Sequence, residues 1–140
     1  MPRHHDAVVD NFHAGGIAAA VDLKTGRLGS ATDLGNDQAF GWVDAHPANG
    51  APIQGRILPH WQDALALVRA AHGRAFSDRA MLGWDIAITD KGPMIVEGNG
   101  GPDLDIIQCV CGIPVGYDRF GELMVEHLLQ DRRSIAQLAA

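Results

Sequence analysis

The chain has 140 residues, of which 46% are hydrophobic and 20% charged; this size and composition predict one globular domain rather than a disordered segment. The net charge of -6 excludes a broad nucleic-acid-binding surface and attachment to an anionic membrane, but allows a nucleotide bound through a divalent cation. The chain has neither a membrane-spanning apolar run nor the apolar core of a secretory signal, so we expect a cytoplasmic protein with no nucleic-acid and no membrane partner.

The first part of the chain favours β-structure. Residues 7–12 are β-prone, and residues 16–33 predict two antiparallel strands because residues 22–26 have the composition of a hairpin turn. Residues 36–59 are rich in Gly, Pro, Asn and His and predict a long irregular segment. A loop of this length within a compact domain is usually functional or disordered.

The second part predicts a helix, a hairpin and a second helix. Residues 59–76 have helical apolar spacing, with Pro59 at the start and Gly73 as a candidate end. Residues 81–99 predict a hairpin that turns at residues 90–92. Residues 119–130 predict an amphipathic helix, and we expect residues 131–140 to be a helical or frayed tail. The predicted fold class is α+β, an antiparallel sheet with covering helices.

The hairpin carries the residues of greatest chemical interest. Glu97 and Asn99 are two residues apart on the return strand and therefore share a face. A turn centred near Lys91 places Asp85 roughly opposite Glu97. Two carboxylates and an amide oxygen are hard ligands that suit Mg²⁺ or Mn²⁺ rather than zinc. The alternative is an ordinary hairpin whose solvated face happens to carry an Asp and a Glu.

Other polar residues give weaker signals. Cys109 and Cys111 are poorly spaced to form a disulfide if the segment is extended, and we expect reduced, partly buried side chains. His46, in "HPANG", has no mechanistic role that the sequence indicates. "GNGG" lacks the glycine spacing of a dinucleotide-binding turn, and no P-loop is present.

The segment "GWDIAITDKGPMIVEGNGGPDLDIIQ" resembles the metal-binding end of the ATP-grasp superfamily, in which an Asp on one strand and a Glu-x-Asn on the next hold the magnesium ions of MgATP. Together with "VDNFHAGGIAAAVDLKTG" and "HPANGAPIQGRILPHW", it is most similar to the sugar-transfer-associated, glutamate-ligase-related subgroup. The resemblance implies a metal site at Asp85, Glu97 and Asn99. It also implies nucleotide or substrate contacts at Asn11, Gly15 and Gly16, for which a plain turn is the alternative. His13 is a further candidate for contact with phosphate or acceptor, against the alternative of a surface histidine.

By this resemblance the chain is similar to the C-terminal half of an ATP-grasp domain. We therefore expect residues 1–140 to form a single partial domain without the N-terminal subdomain that clamps the nucleotide. The implied reaction is a carboxylate–amine or related ligation, in which ATP converts a small-molecule or peptide carboxylate into an acyl phosphate. No catalytic residue is assigned, and we expect the isolated chain to be inactive.

The alternative is a truncated, non-catalytic remnant or interaction module. Only two lysines are present, Lys24 and Lys91, although lysines of the other subdomain hold the ATP phosphates in the superfamily. Such a module would need a partner, either the missing subdomain or a second copy of the chain, to complete the ATP site.

Overall fold

The computed structural model describes residues 11–33, 41–117 and 119–138, with side chains described as far as Gln130. Most of the β-prone segment 7–12 and the first part of the irregular segment 36–59 lie outside these ranges. Within them the structure is an α+β fold of five strands and three α-helices, which confirms the predicted fold class. None of the described helices has both the length and the apolar character that spanning a membrane requires.

The first sheet has three antiparallel strands, β1 (Ala18–Val21), β2 (Leu28–Thr32) and β3 (Trp42–Val43), in the order β1–β2–β3. The first two form the predicted hairpin. The segment predicted to be irregular contains the third strand and one isolated bridge, Ala45 with Pro52, and its Ile57 forms a second bridge with Arg27 of the hairpin. Backbone pairing thus orders residues whose composition alone indicates a loop.

The main buried cluster lies on this sheet. Ile17, Ala31 and Ile53 are almost fully buried, and Ala19, Leu28 and Val43 pack around them. The buried Thr32 hydroxyl donates to the carbonyl oxygen of Gly41 at 2.8 Å, so its burial leaves no unmade hydrogen bond.

The second unit is helix α1 (Trp61–Ala75) on a two-stranded antiparallel sheet, β4 (Gly83–Thr89) and β5 (Gly92–Asn99). The helix begins two residues after Pro59 and runs through Gly73, so the prediction that Gly73 ends it is wrong. A single glycine in a helix costs only about 1 kcal/mol, and the packed apolar face carries the helix past it. Gly92, with φ of +117°, completes the predicted turn.

Two helices follow the hairpin. Helix α2 (Leu104–Cys111) packs against β1 and β2, and α3 extends over Arg119–Leu138. The sequence did not predict α2. Helix α3 continues through most of residues 131–140, the segment for which the sequence left a helical or a frayed tail open. Cys109 and Cys111 therefore lie on a helix rather than in an extended segment, and both are free thiols.

Candidate functional site

The register of the second hairpin brings Asp85 opposite Glu97. The turn pairs Thr89 with Gly92, and a regular ladder from that point would pair Asp85 with Val96. An irregularity between Asp85 and Ile86 shifts the register by one residue, so that Ile86 pairs with Ile95 and Asp85 with Glu97. A β-bulge of this kind re-aims a side chain, and here it creates the carboxylate pair.

Asp85, Glu97 and Asn99 consequently share one face of the hairpin. The amide nitrogen Nδ2 of Asn99 donates to Oε1 of Glu97 at 3.0 Å. Partial desolvation, followed by the hydrogen bond to Glu97 and its negative charge, raises the pKa of Asp85. Two adjacent carboxylates repel one another unless a proton or a cation lies between them, so the site favours a bound cation.

Glycines allow close packing around these three residues. A Cβ atom on Gly98 would lie 3.1 Å from Cζ3 of Trp84, and one on Gly83 would lie 2.7 Å from Cβ of Pro102. Trp84 also makes edge-on ring contacts with Phe76 and His72. The glycine in the Glu-Gly-Asn motif therefore seats the strand against an aromatic cluster while its two neighbours present oxygen atoms.

The segment from Asn11 to Gly16 forms a compact turn. Asn11 caps a short 3-10 helix (Phe12–Ala14), its Oδ1 accepting from the backbone N–H of His13 at 2.8 Å. Gly15 has φ of +89°, and a Cβ on Gly16 would lie 2.7 Å from the backbone oxygen of Asn11. Both glycines therefore have conformational or steric reasons to be glycine.

This turn directs His13 towards the first turn of α2. Its Nε2 lies 2.8 Å from Oδ2 of Asp105, and its Nδ1 lies 3.8 Å from Oδ2 of Asp103. The hydrogen bond to Asp105 is the main cause of a raised pKa of His13; desolvation opposes it, and the charges of Asp105 and Asp103 add to it. The same hydrogen bond lowers the pKa of Asp105.

One cavity of about 650 Å³ joins these groups. Its walls come from the Asn11 turn, from both strands of the hairpin and from the start of α2. The structure thus brings five of the predicted residues, which are distant in sequence, around a single space: Asn11, His13, Asp85, Glu97 and Asn99. Gly15 and Gly16 are not among the lining residues, and their predicted contact with nucleotide or substrate stays a prediction.

Sequence reasoning did not select Asp103 or Asp105 as site residues. The available signal was the acidic "PDLD" directly before an apolar run, which is typical of a helix N-terminus and would have placed both carboxylates at the start of α2. His46 has a local role, since its Nδ1 accepts from the backbone N–H of Ala48 at 3.2 Å. Cys109 is half-buried and Cys111 exposed.

The donor chemistry of Asp85, Glu97 and Asn99 fits a hard divalent cation, because all three supply oxygen atoms. Among the described residues no cluster of three or more His, Cys, Asp and Glu side chains is suited to holding a metal. A cation bound between the two carboxylates would therefore need a third oxygen from another residue type, and Asn99 is the neighbouring residue that carries one. Such a sparse set suits Mg²⁺, which commonly keeps water and phosphate oxygens in its coordination shell.

Comparison with known proteins points to one family. A family model described as "Sugar-transfer associated ATP-grasp" matches residues 2–115, a range that contains every residue of the candidate site and ends before α3. No curated protein and no solved structure matches the chain.

Proposed function

The chain belongs to the sugar-transfer associated ATP-grasp family, and on that premise we propose that it binds MgATP within a ligase that activates a carboxylate as an acyl phosphate. Asp85, Glu97 and Asn99 are the proposed metal ligands. The carboxylate to be activated and the amine that receives it are the proposed small-molecule or peptide partners. The observation that carries the proposal is the pairing of Asp85 with Glu97 across a bulged ladder.

The proposed roles of the ligands and of the cation follow from their charges. Asp85 and Glu97 provide up to two negative charges, and Asn99 adds a neutral oxygen once its amide group turns towards the ion. A Mg²⁺ or Mn²⁺ ion held by these residues would neutralise negative charge on the phosphates. The lining residues of the cavity include no lysine or arginine, so within the described part of the chain the phosphates depend on the cation.

The aromatic packing around Trp84 holds these ligands in place. Gly98, between Glu97 and Asn99, lies against the indole ring, which also contacts His72 of α1, and α1 packs on the hairpin. A binding site is effective when such surrounding contacts hold its ligands rigidly. Asn11, on the opposite wall, keeps its Oδ1 engaged in the cap and directs only its amide N–H groups at a bound phosphate.

The first prediction concerns the metal. Titration of the full chain with Mn²⁺, followed by electron paramagnetic resonance of the free ion, should show saturable binding that is lost in Glu97→Gln. The isosteric amide keeps the shape and removes the charge that attracts the cation. Asp90→Asn, in the turn of the same hairpin and outside the cavity, is the matched control and should bind like the wild type.

A second titration tests the nucleotide. A non-hydrolysable ATP analogue should bind calorimetrically in the presence of Mg²⁺ and much more weakly without it, and Glu97→Gln should abolish the difference. Equal Mn²⁺ binding by wild type and Glu97→Gln would contradict the metal assignment. Metal binding without any nucleotide binding would restrict the proposal to a metal site.

A second candidate function is an interaction module. Within the described part of the chain, sheet β4–β5 has two strands, and Met94 and Val96 on its return strand are 57% and 62% exposed. An unpaired strand with exposed apolar side chains favours pairing with another chain. Sedimentation equilibrium that shows concentration-dependent association, together with no metal or nucleotide binding, would favour this function over the first.

A further inference from the structure

His13 has one occupied nitrogen and one available nitrogen. A carboxylate can only accept hydrogen bonds, so the 2.8 Å contact with Asp105 requires the hydrogen on Nε2. In the neutral ring Nδ1 then carries the lone pair and is the basic atom. This nitrogen is the one on the side of Asp103, at 3.8 Å from its Oδ2.

The distance between Nδ1 of His13 and Oδ2 of Asp103 suits a ligand nitrogen that donates a hydrogen bond to each of them. A distance of 3.8 Å is too long for a direct hydrogen bond, but both acceptors lie within reach of one nitrogen placed between them. An ammonium group, with three N–H donors, can satisfy the Asp103 carboxylate and the Nδ1 lone pair together. The side chain of Asp103 is 68% exposed, so an incoming ligand has access to it.

The charge of the cavity also selects a cationic ligand. Asp85, Glu97 and Asp103 line it, while the charge of a protonated His13 is balanced by Asp105 outside the lining. The lining contains no lysine or arginine. With one divalent cation held at Asp85 and Glu97, Asp103 is the remaining carboxylate on the wall, at the end of the cavity where His13 lies.

We propose that Asp103 binds the ammonium group of the attacking substrate, that His13 is the catalytic base that takes a proton from it through Nδ1, and that Asp105 is the positioning residue that fixes the ring. The inference rests on the proposed function, because the amine attacks the acyl phosphate formed there.

The proton and electron movements balance in two steps. One proton passes from the ammonium nitrogen to Nδ1, which leaves a neutral amine and an imidazolium paired with Asp105. The amine nitrogen then bonds to the carbonyl carbon of the acyl phosphate, and the carbon–oxygen bond to phosphate breaks. Phosphate leaves with the bonding electron pair and takes up the second N–H proton, and the product is an amide.

The experiment uses the full chain labelled with ¹³C and ¹⁵N, and methylammonium chloride as the probe. The His13 ring signals should shift saturably with methylammonium and should not respond to tetramethylammonium at the same ionic strength, because that ion has no N–H donor. Asp103→Asn should lose the response. A response that is linear with salt, or unchanged in Asp103→Asn, would overturn the amine site.

The role of Asp105 has its own spectroscopic readout. Above its pKa, ¹⁵N shifts of His13 should show hydrogen on Nε2 in the wild type and a mixture of tautomers in Asp105→Asn, with a lowered His13 pKa. Asp105→Glu should restore part of the preference for Nε2. The same tautomer distribution in wild type and Asp105→Asn would overturn the positioning role, because that is the result expected of a merely structural carboxylate.

Addition of Mn²⁺ to the labelled protein tests the amine site and the metal site separately. Bound at Asp85 and Glu97, it should broaden the His13 signals in the wild type and not in Glu97→Gln. Broadening without a saturable methylammonium shift would overturn the amine site and leave the metal site standing. A saturable, Asp103-dependent shift without broadening would overturn the metal site alone.

Discussion

The two sheets of this protein differ in what they contribute. The three-stranded sheet carries the buried cluster of Ile17, Ala31 and Ile53 together with buried Thr32. The two-stranded sheet, described along its whole length, contains no fully buried residue, yet it carries the three proposed metal ligands. A two-stranded hairpin alone is marginally stable in water, so this one depends on packing against α1 and on the contacts of Trp84.

This separation has a physical basis. Adjacent carboxylates repel one another, and in a buried core that repulsion would be costly because the local dielectric is low. On an exposed ribbon, solvent screens most of it. The site therefore exists at small cost to the fold, and substitutions in the two sheets should separate stability from metal binding.

The largest expected effect comes from the first sheet. Ile17→Ala should lower the free energy of unfolding by about 2–5 kcal/mol, because it removes a buried side chain and leaves a cavity. Ile57→Ala is the matched control; Ile57 is 58% exposed, and its replacement should change stability by about 0.5 kcal/mol or less. Urea denaturation followed by tryptophan fluorescence measures both, and equal losses would contradict a core centred on this sheet.

The next largest effect is expected from Gly98→Ala, which should lower both the stability of the fold and the affinity for Mn²⁺. In Gly98→Ala the new Cβ would lie 3.1 Å from the Trp84 ring, so the strand or the ring must shift, at a cost of about 1–3 kcal/mol. Mn²⁺ affinity should fall as well, since Glu97 and Asn99 flank the altered residue. Gly100→Ala, where a Cβ meets no atom within 4 Å, should affect neither. Unchanged Mn²⁺ affinity in Gly98→Ala would show that Gly98 does not control the ligand geometry.

A smaller effect of opposite sign is expected from Asp85→Asn. The pKa of Asp85 is raised in the fold, so the folded state binds the proton more tightly than the unfolded state. The resulting penalty is absent below the unfolded pKa, grows as pH rises through the interval between the two pKa values, and persists at neutral pH.

Asp85→Asn removes this penalty, so the variant should be slightly more stable than the wild type at pH 7 and should lose that advantage in acid. Because Asp85 is exposed, solvent screening keeps the gain below about 1 kcal/mol. Thermal unfolding at pH 7 and at acidic pH measures it, alongside loss of Mn²⁺ binding. Marked destabilisation at pH 7 would mean that the carboxylate is structural.

How far the sequence predicts this arrangement is clearest at the second hairpin. Alternation and the Asp-Lys-Gly turn predict both strands and their antiparallel pairing, and the predicted pairing of Asp85 with Glu97 is confirmed. The turn alone does not produce this pairing. The turn closes at Thr89 and Gly92, and only the bulge restores the predicted register. A bulge depends on packing between strands, which a pattern of period two does not encode.

The contacts of His13, by contrast, could not be predicted from the sequence. His13 was a candidate on resemblance alone, and its partners Asp103 and Asp105 follow it by about ninety residues. No local pattern connects them. Their proximity depends on how α2, which was not predicted, lies against β1 and β2. Helix propensity in an eight-residue segment is weak, and tertiary packing decides whether such a segment forms.

The smallest predicted effect tests the contact between His13 and Asp105. The raised pKa of His13 means that its contribution to stability is present below its ordinary pKa of about 6.5 and is lost as pH rises through the folded value. The lowered pKa of Asp105 means that its contribution is present above its ordinary value of about 3.9 and is lost as pH falls through the folded value.

The difference in melting temperature between wild type and Asp105→Asn should therefore be largest between about pH 4 and pH 6.5 and should shrink on both sides. The effect should be small because both side chains are substantially exposed. Asp78→Asn is the control: the cationic neighbour of Asp78 is Arg79, at 3.8 Å, and not a histidine, so the pH profile of this variant should lack the decline above pH 6.5. A flat Asp105→Asn profile would show that His13 and Asp105 are not paired in solution, and it would remove the basis for assigning a base to this cavity.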